Sequence, residues 1–340
     1  MRILIVRLGA FGDIIHTLPL AADLHAAGHE VAWLCEDRWA EIIDGSPAIA
    51  EILTLPRRSL RDKSLPLAVR WRLVRQRVQA LRAGEFDLVI DAQGLAKSAI
   101  WAARSGVRRR VGHQRGRARE GSWLLPARRV PASATHVIDQ QRALGLGVPG
   151  SQACGGWRFP LPAWDSERNR MHHWLGERGL RRPVVINVGA GWPTKVWPAQ
   201  RQTELAELLI NRGSEVVVAW GNAAERSVAE GIVDAVPHAV LAPQTSIPEL
   251  GGLLANSAAL VSGDTGPLHL ALALGTPAVG LFGPVPAERN GPRGRGYRCL
   301  QAPGARWERR DVSKVDMSAI TAGQVADALT TICSEDPRRD

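Results

Sequence analysis

The chain has 340 residues, about twice the roughly 100 to 200 of one domain, which predicts two domains of similar size. Its composition, 45% hydrophobic and 22% charged, excludes a disordered chain, a collagen and a coiled coil. The net charge is +10, and residues 1–150 carry most of it, with 23 basic and 14 acidic residues. The first domain is therefore expected to bind nucleic acid, an anionic membrane surface or an acidic small substrate.

The first half of the chain alternates short apolar stretches with helical patterns. Residues 2–7 predict a buried strand, and a glycine turn then leads into an apolar helix that reaches Ala27. Further strands are predicted at 30–35 and 88–91, with a helix over 65–82. Strands that alternate with helices indicate βαβ units and a parallel sheet.

A stretch rich in Gly, Pro and Trp follows at 148–170 and predicts the passage between domains. We take 1–155 as the first domain, 156–180 as a linker, 181–332 as the second domain and 333–340 as a flexible tail. The second domain predicts strands at 184–187, 215–218, 259–262 and 278–282, and helices at 199–212, 223–235, 246–256 and 267–274. Thr321 and Gln324 have the spacing of a capping box for a last helix that ends near Ile332.

Neither the cysteines nor the N-terminus indicates a metal, a disulfide or a membrane anchor. The four cysteines, Cys35, Cys154, Cys299 and Cys333, are far apart and form no C-x-x-C pair. Arg7 and Asp13 interrupt the apolar start of the chain, which excludes a signal peptide. We expect a cytoplasmic protein without a bound metal, and any membrane contact is expected to be peripheral.

The first candidate site is the turn Gly9-Ala10-Phe11-Gly12-Asp13. Ligands of open α/β sheets bind beyond the carboxyl ends of the strands, so turns of this kind are the places to examine. Glu36 and Asp37 follow the second strand as in an NAD-dependent oxidoreductase, but the turn lacks one glycine of the G-x-G-x-x-G pattern. Asp13 is either a helix N-cap or a general base toward an incoming hydroxyl. Such a base would work best with a good leaving group such as a diphosphate.

The second candidate site is the segment Gly263-Asp264-Thr265-Gly266-Pro267-Leu268-His269, between a predicted strand and helix. Backbone amides at that helix start, with the Thr265 hydroxyl and a flexible Gly266, form a cradle suited to phosphate. The structural alternative is a tight turn capped by Asp264 or Thr265. His269, taken alone, is more typical of a packed helix residue than of a ligand.

The third candidate is Lys195, in the loop after the first strand of the second domain. It could balance a diphosphate as a point charge, or it could be a solvated loop lysine. It is the only lysine between Lys97 and Lys314, which favours the functional interpretation.

Two basic segments form the fourth feature. Residues 57–82 contain nine basic residues and one acid, and residues 104–129 contain nine arginines and one acid. Solvated helix faces would account for much of this charge. Trp71 and Trp123 could stack on bases, but no motif of a nucleic-acid module occurs, and a polyanionic acceptor fits equally well.

Four motifs, taken together, resemble a known family. They are Gly12-Asp13-Ile14-Ile15-His16-Thr17-Leu18-Pro19, Asp91-Ala92-Gln93-Gly94-Leu95-Ala96-Lys97-Ser98, Lys195-Val196-Trp197-Pro198, and Asp264-Thr265-Gly266 with His269. In this order they resemble the ADP-heptose:lipopolysaccharide heptosyltransferases, glycosyltransferase family nine, from Met1 to about Ile332. The first two motifs resemble those of the heptosyltransferase I type.

The resemblance implies an α/β protein of the GT-B fold, with two Rossmann-like domains that face each other across a cleft. It implies an acceptor in the first domain and an ADP-sugar in the second, with no metal or cofactor. The implied reaction moves heptose, with inversion, from ADP-L-glycero-D-manno-heptose to a Kdo hydroxyl of the lipopolysaccharide inner core. The implied partners are an anionic Kdo-lipid A-like glycolipid and, peripherally, the cytoplasmic face of the inner membrane, but no nucleic acid.

The resemblance also implies roles for individual residues. Asp13 would be the catalytic base, and Lys195 would neutralise the leaving diphosphate. Donor-binding roles are implied for Thr194, Glu225, Thr245, Ser246, Asp264, Thr265, Gly266 and His269, and acceptor-binding roles for Gly12, Arg61, Lys63, Gln93, Lys97 and Arg119. The chain has Gly191-Trp192-Pro193-Thr194 where heptosyltransferase I proteins often carry acidic residues, so a family-nine heptosyltransferase of a secondary pathway remains an alternative.

Overall fold

The computed structural model describes residues 1–153, 155–305 and 315–335, and the chain forms two compact units, Met1–Ala163 and Trp164–Asp340. Each unit contains one parallel sheet of six strands with helices packed against it. Cys154 lies outside the described residues, whereas Cys35, Cys299 and Cys333 form no disulfide among the described residues.

The first unit contains a sheet with the strand order β3-β2-β1-β4-β5-β6. Its strands are β1 (Arg2–Val6), β2 (Glu30–Glu36), β3 (Glu51–Leu55), β4 (Leu88–Asp91), β5 (Arg110–His113) and β6 (Arg128–Val130), and its helices are α1 (Phe11–Ala26), α2 (Arg57–Arg61), α3 (Leu67–Ala83), α4 (Ala96–Arg104) and α5 (Val137–Ala143). β1 lies in the centre and pairs with β2 and β4, which explains its continuous apolar run. Ile3, Leu4 and Val6 are fully buried.

The second unit repeats this topology, because its order β12-β11-β10-β7-β8-β9 places its first strand beside its second and fourth. Its strands are β7 (Val184–Asn187), β8 (Val216–Ala219), β9 (Ala239–Leu241), β10 (Ala259–Gly263), β11 (Ala278–Phe282) and β12 (Tyr297–Gln301), and its helices are α6 (Asp165–Gly176), α7 (Ala199–Asn211), α8 (Ala223–Ala235), α9 (Ile247–Ala255), α10 (Gly266–Leu274), α11 (Ala287–Asn290) and α12 (Ala322–Ser334). Trp197 anchors the loop after β7, since its indole is buried in the core and donates a hydrogen bond of 2.9 Å to the Ile320 carbonyl.

In both units the chain leaves the two central strands in opposite directions along the sheet. This happens between β1 and β4 in the first unit and between β7 and β10 in the second. Such switch points open a crevice at the carboxyl ends of the strands, and they are the usual ligand sites of doubly wound sheets. The turns that contain Asp13 and Gln93 flank the first crevice, and those that contain Lys195 and Asp264 flank the second.

The segments predicted as a linker and as a tail both contain helical residues in the structure. The predicted linker 156–180 contains the helix α6, which the sequence pattern missed because only Met171 and Leu175 are buried on its inner face. The predicted tail at 333–340 is too long at its start, since α12 continues to Ser334, and residues 336–340 lie outside the described residues. The capping box of Thr321 and Gln324 is present.

Candidate active site

Asp13 lies at the third position of α1, at the switch point of the first sheet. Ala10, not Asp13, is the N-cap residue of α1, so the alternative that Asp13 is the N-cap is wrong. The carboxylate nevertheless satisfies the helix start, because its Oδ2 accepts a hydrogen bond of 3.2 Å from the Ala10 N–H. The Asp13 side chain is 45% exposed, so part of the carboxylate can meet a substrate.

A buried arginine, Arg7, forms an ion pair with Asp13 from the protein interior. Its Nη2 forms an ion pair of 2.7 Å with Asp13 Oδ1, and its side chain is only 4% exposed. Its Nη1 donates a hydrogen bond of 2.6 Å to the Ala92 carbonyl, at the end of β4. The ion pair fixes the direction of the carboxylate. The sequence pattern did not predict this contact, because it marks Arg7 only as a break in an apolar stretch.

The turn after β4 is held by Asp91 and Gln93. Asp91 Oδ1 accepts hydrogen bonds from the Gln93 and Gly94 amides at 3.1 and 3.0 Å. Burial raises the pKa of Asp91, and these amides oppose the shift. Gln93 Oε1 accepts a hydrogen bond of 2.9 Å from the Leu8 amide, so this side chain joins the turns after β1 and β4. Its acceptor-binding role stays a prediction.

Glu36, at the end of β2, lies among three basic side chains. Its carboxylate is 3.3 Å from Arg57 Nε, 3.4 Å from Arg38 Nη2 and 3.5 Å from Lys97 Nζ, and its side chain is 10% exposed. A ribose-binding carboxylate has to be open to its ligand, whereas these cations already neutralise Glu36. The arrangement disfavours the dinucleotide interpretation and leaves an excess of positive charge at this edge of the sheet.

The other predicted acceptor residues of the first unit lie in exposed turns or at helix ends. Arg61 ends α2, Lys63 follows it, and both are exposed. Arg119 is exposed, and its amide donates a hydrogen bond of 2.9 Å to the Gly94 carbonyl, which brings it to the turn after β4. Gly12 lies in the first turn of α1 beside Asp13.

Asp264 is the centre of the second unit's switch point. It lies after β10, its side chain is 4% exposed, and it forms an ion pair with Lys195 from the loop after β7. Lys195 Nζ also donates a hydrogen bond of 3.2 Å to the Asp264 carbonyl. The Lys195 side chain is 17% exposed, so the alternative of a solvated loop lysine is wrong.

Two further side chains converge on Asp264. His269 Nε2, from α10, is 3.4 Å from Asp264 Oδ1, and Asn290 Nδ2, from α11, donates a hydrogen bond to the same oxygen. Burial raises the pKa of Asp264, but the His269 hydrogen bond and the Lys195 charge outweigh it and hold the pKa below its ordinary range. The sequence analysis assigned no site role to Asn290, because its partner Asp264 lies 26 residues away in the sequence.

The N-terminus of α10 starts directly after Asp264. Thr265 is the N-cap residue but makes no capping hydrogen bond with its side chain, and Pro267 occupies the first turn. The structural alternative is therefore right that Thr265 occupies the N-cap position, but the Thr265 side chain does not cap the helix. The Thr265 hydroxyl lies 3.1 Å from that of Ser262, which accepts a hydrogen bond of 3.1 Å from Asn187. Uncapped amides at a helix start, next to a lysine, form a site suited to phosphate.

Glu225 lies in the first turn of α8, the helix that follows β8. Its Oε2 accepts a hydrogen bond of 2.7 Å from the Gly221 amide. Asn222 is the N-cap of α8, and its side chain accepts a hydrogen bond from the Glu225 amide. A Cβ at Gly189 would lie 2.3 Å from Glu225 Oε1, so the loop after β7 passes close to this carboxylate. Its predicted contact with a ribose stays a prediction.

Three other predicted donor residues have different surroundings. Thr194 lies in the turn Pro193–Lys195, and its buried Oγ1 has no hydrogen-bond partner among the described residues. Ser246 is the N-cap of α9, and its hydroxyl forms a capping box with Glu249. Thr245 is half-buried just before that helix. The capping box accounts for Ser246, whereas no contact among the described residues accounts for the buried Thr194 hydroxyl.

Comparison with known proteins decides the family. The profile of glycosyltransferase family 9 (heptosyltransferase) matches residues 74–319. Lipopolysaccharide heptosyltransferase 1 of Pseudomonas aeruginosa is 35% identical over 87% of this chain and 82% of its own length. The chain belongs to glycosyltransferase family 9. This family 9 glycosyltransferase is also 28% identical to lipopolysaccharide heptosyltransferase 1 of Escherichia coli K12, over 89% of this chain and 94% of that protein.

Solved structures agree with this assignment. The E. coli heptosyltransferase WaaC with ADP matches this family 9 glycosyltransferase with a TM-score of 0.81 at 26% identity, covering 97% of this chain and 99% of that one. E. coli ADP-heptose lps heptosyltransferase II matches its fold with a TM-score of 0.72 at 21% identity, over 98% and 99% of the two chains. The predicted α/β, GT-B fold class is confirmed. None of the helices in the described part of the chain is long and apolar enough to span a bilayer.

Proposed function

We propose that this enzyme transfers heptose from ADP-L-glycero-D-manno-heptose to a Kdo hydroxyl of the lipopolysaccharide inner core, with inversion and without a metal. The observation that carries the proposal is the chemistry at the two switch points. The first unit offers a half-exposed carboxylate, Asp13, and the second offers a lysine, Lys195, beside an uncapped helix start. These are the groups that a displacement from a diphosphate requires.

The donor is assigned to the second unit. The α10 amides, the Thr265 hydroxyl and Lys195 would receive the diphosphate, while Asp264 orients Lys195 and His269. Glu225 would accept a hydrogen bond from the ribose. Two structures of WaaC, a 26% identical relative, are described with ADP and with ADP-2-deoxy-2-fluoro heptose, which supports an ADP-sugar donor.

The acceptor is assigned to the first unit. Arg61, Lys63 and Arg119 are exposed and would pair with the carboxylates of Kdo and the phosphates of lipid A. The names of the relatives, lipopolysaccharide heptosyltransferase 1, support a lipopolysaccharide precursor as acceptor. Since such an acceptor is held in a bilayer, the enzyme is assigned to the cytoplasmic face of the inner membrane.

The chemical step is one displacement. Asp13 accepts the proton of the acceptor hydroxyl, and the hydroxyl oxygen forms a bond to the anomeric carbon of heptose. The bond from that carbon to the diphosphate breaks on the opposite face, and the electron pair leaves with ADP. Lys195 and the α10 amides stabilise the charge that develops on the leaving group, so no metal is needed. A single displacement inverts the anomeric configuration.

The purified enzyme tests this proposal with ADP-heptose and Kdo-lipid A in detergent. Mass spectrometry is expected to detect one added heptose, unchanged by EDTA, and NMR is expected to show the inverted linkage. Parallel reactions with GDP-mannose as donor, and with lipid A that lacks Kdo as acceptor, should yield no product. Transfer to lipid A without Kdo, or loss of activity with EDTA, would overturn the acceptor or the metal-free mechanism respectively.

A further inference from the structure

The helix α3 of the first unit carries large apolar side chains on its solvent face. Leu67 is 74% exposed and Trp71 is 63% exposed. The helix already has a buried face, because Val74, Val78 and Leu81 pack on the core of the unit. Leu67 and Trp71 are therefore surplus to the packing of this helix, and exposed apolar groups of this size usually mark an interaction surface.

Arginines surround these two side chains. Leu67, Trp71 and Arg75 follow one another at intervals of four residues, and Arg72 flanks them, so all four share one side of the helix. The segment 57–82 that contains α3 has nine basic residues and a single acid. Arginine next to tryptophan and leucine on one helix face is the composition of helices that lie in the interface of an anionic bilayer.

The turn Ser122–Leu124 repeats this combination. Leu124 is 68% exposed, and Arg115 stacks over the Trp123 ring at 5.6 Å. Helix α4 packs against both α3 and this turn, which places them on the same side of the sheet. We call Leu67, Trp71, Arg72, Arg75 and Leu124 the basic apolar face.

We propose that the first unit docks on an anionic lipid bilayer through the basic apolar face. Leucine and tryptophan side chains would enter the boundary between headgroups and acyl chains, while the arginines pair with lipid phosphates. Nucleic acid offers phosphates but no apolar phase for Leu67 and Leu124. A second copy of the chain would bring the same positive charge against this surface and be repelled.

The position of α3 relates bilayer docking to the edge of the sheet that contains Asp13. The helix follows the carboxyl end of β3, and Arg57 Nε at the start of α2 lies 3.3 Å from Glu36 at the end of β2. Asp13 begins the helix after β1 at the same edge of the sheet. A bilayer bound there would present lipid-linked sugars to that edge. This purpose rests on the proposed function, whereas bilayer binding itself does not.

Co-sedimentation with vesicles tests the proposal. The wild-type protein is expected to sediment with vesicles of phosphatidylglycerol and phosphatidylcholine, to be released by high salt, and to ignore vesicles of pure phosphatidylcholine. The double variant Leu67→Ser/Trp71→Ser should bind about tenfold more weakly or worse. Arg72→Gln/Arg75→Gln should bind roughly 30-fold more weakly, since each arginine near the surface contributes about a factor of five.

The matched control is Leu146→Ser, which removes another leucine of the first unit that is 62% exposed. It should bind vesicles like the wild type, and thermal unfolding should show all variants folded. Equal vesicle binding by the wild type and both double variants would overturn the proposal. The proposal would also be overturned if the double variants bound vesicles like the wild type but no longer bound a single-stranded oligonucleotide. The same holds if they bound vesicles normally but lost a dimer that the wild type forms in sedimentation velocity.

Two acceptors separate this proposal from the proposed function. Leu67→Ser/Trp71→Ser should transfer heptose normally to a deacylated, water-soluble Kdo acceptor, but slowly to Kdo-lipid A embedded in vesicles. If the wild type binds vesicles but transfers heptose to neither acceptor, the proposed function fails and the docking surface stands. If transfer to the embedded acceptor is unaffected in a variant that no longer binds vesicles, the purpose assigned to docking is overturned.

Discussion

Each unit presents one aspartate at the switch point of its sheet, and the two carboxylates have opposite surroundings. Asp13 is 45% exposed, and a buried arginine and one backbone amide hold it from the protein side. Asp264 is 4% exposed, and a lysine, a histidine and an asparagine engage its oxygens. A carboxylate surrounded by donors can orient other groups but cannot easily receive a proton, whereas one with an open side can. Burial therefore distinguishes the carboxylate that we propose as the base from the one that orients its neighbours.

The largest effect is expected from Asp13→Asn. The amide side chain can still accept the Ala10 N–H but cannot take up a proton, so the transfer rate should fall about 10²- to 10⁴-fold. Single-turnover transfer with saturating substrates measures this directly.

Glu249→Gln is the matched control for Asp13→Asn. Glu249 also occupies the third position of its helix, caps the N-cap amide and pairs with an arginine, Arg170. Asp13→Asn should lose more stability in thermal unfolding than Glu249→Gln, because Arg7 is buried and Arg170 is 60% exposed. Only Asp13→Asn should lose transfer. Equal losses of rate in the two variants would reduce Asp13 to a structural role.

Lys195→Gln should have the next largest effect. The amide keeps a donor for Asp264 but removes the charge that balances the leaving diphosphate, so the transfer rate should fall by about 10²- to 10³-fold. Arg212→Gln, which removes an exposed cation of the same unit paired with Asp327, is the control and should keep its rate. A Lys195→Gln enzyme as fast as this control would contradict the role of Lys195.

Asp264→Asn should lower stability more than it alters the chemistry. Removing the charge leaves half-buried Lys195 without its counter-ion and weakens the contact with His269, at a cost of about 3 kcal/mol in the free energy of unfolding. Since the folded-state pKa of Asp264 lies below its ordinary range, its stabilisation is complete above pH about 4 and is lost as the pH falls further.

Thermal unfolding from neutral to acidic pH measures this difference. The gap in melting temperature between the wild type and Asp264→Asn should be wide at pH 7 and close as the pH falls through the lowered pKa. A gap that stayed constant would show that Asp264 is not ionised in the folded enzyme.

The smallest effect is expected from Glu225→Gln. Loss of one charged acceptor for the ribose should raise the KM for ADP-heptose about tenfold and leave kcat nearly unchanged. Glu230→Gln on the same helix removes an exposed carboxylate that pairs with Arg226, and it should change neither constant. An unchanged KM in Glu225→Gln would remove this residue from the donor site.

The central features of both units could be predicted from sequence, because buried central strands and the turns after them have strong local signals. The predicted strands at 88–91, 184–187 and 278–282 match the structure residue for residue. The strands β3, β5, β6, β9 and β12 were missed, because they lie toward the sheet edges and contain exposed or half-buried residues. Their place depends on neighbouring strands and not on their own pattern.

The residues of the candidate site also divide into those that the sequence predicted and those that it did not. Lys195, Asp264 and His269 follow predicted strands, and the structure brings the three together. Arg7 and Asn290 were not assigned to the site. Their contacts with Ala92 and Asp264 join residues that are 85 and 26 positions apart in the sequence. The catalytic and binding roles of all these residues stay predictions.

Calorimetric titration of ADP into Asp13→Asn and Lys195→Gln, side by side, tests most directly whether the base and the leaving-group site belong to separate units. We expect ADP to bind Asp13→Asn with the affinity of the wild type and Lys195→Gln about tenfold or more weakly. Weakened ADP binding in Asp13→Asn, together with unchanged binding in Lys195→Gln, would contradict this division of labour.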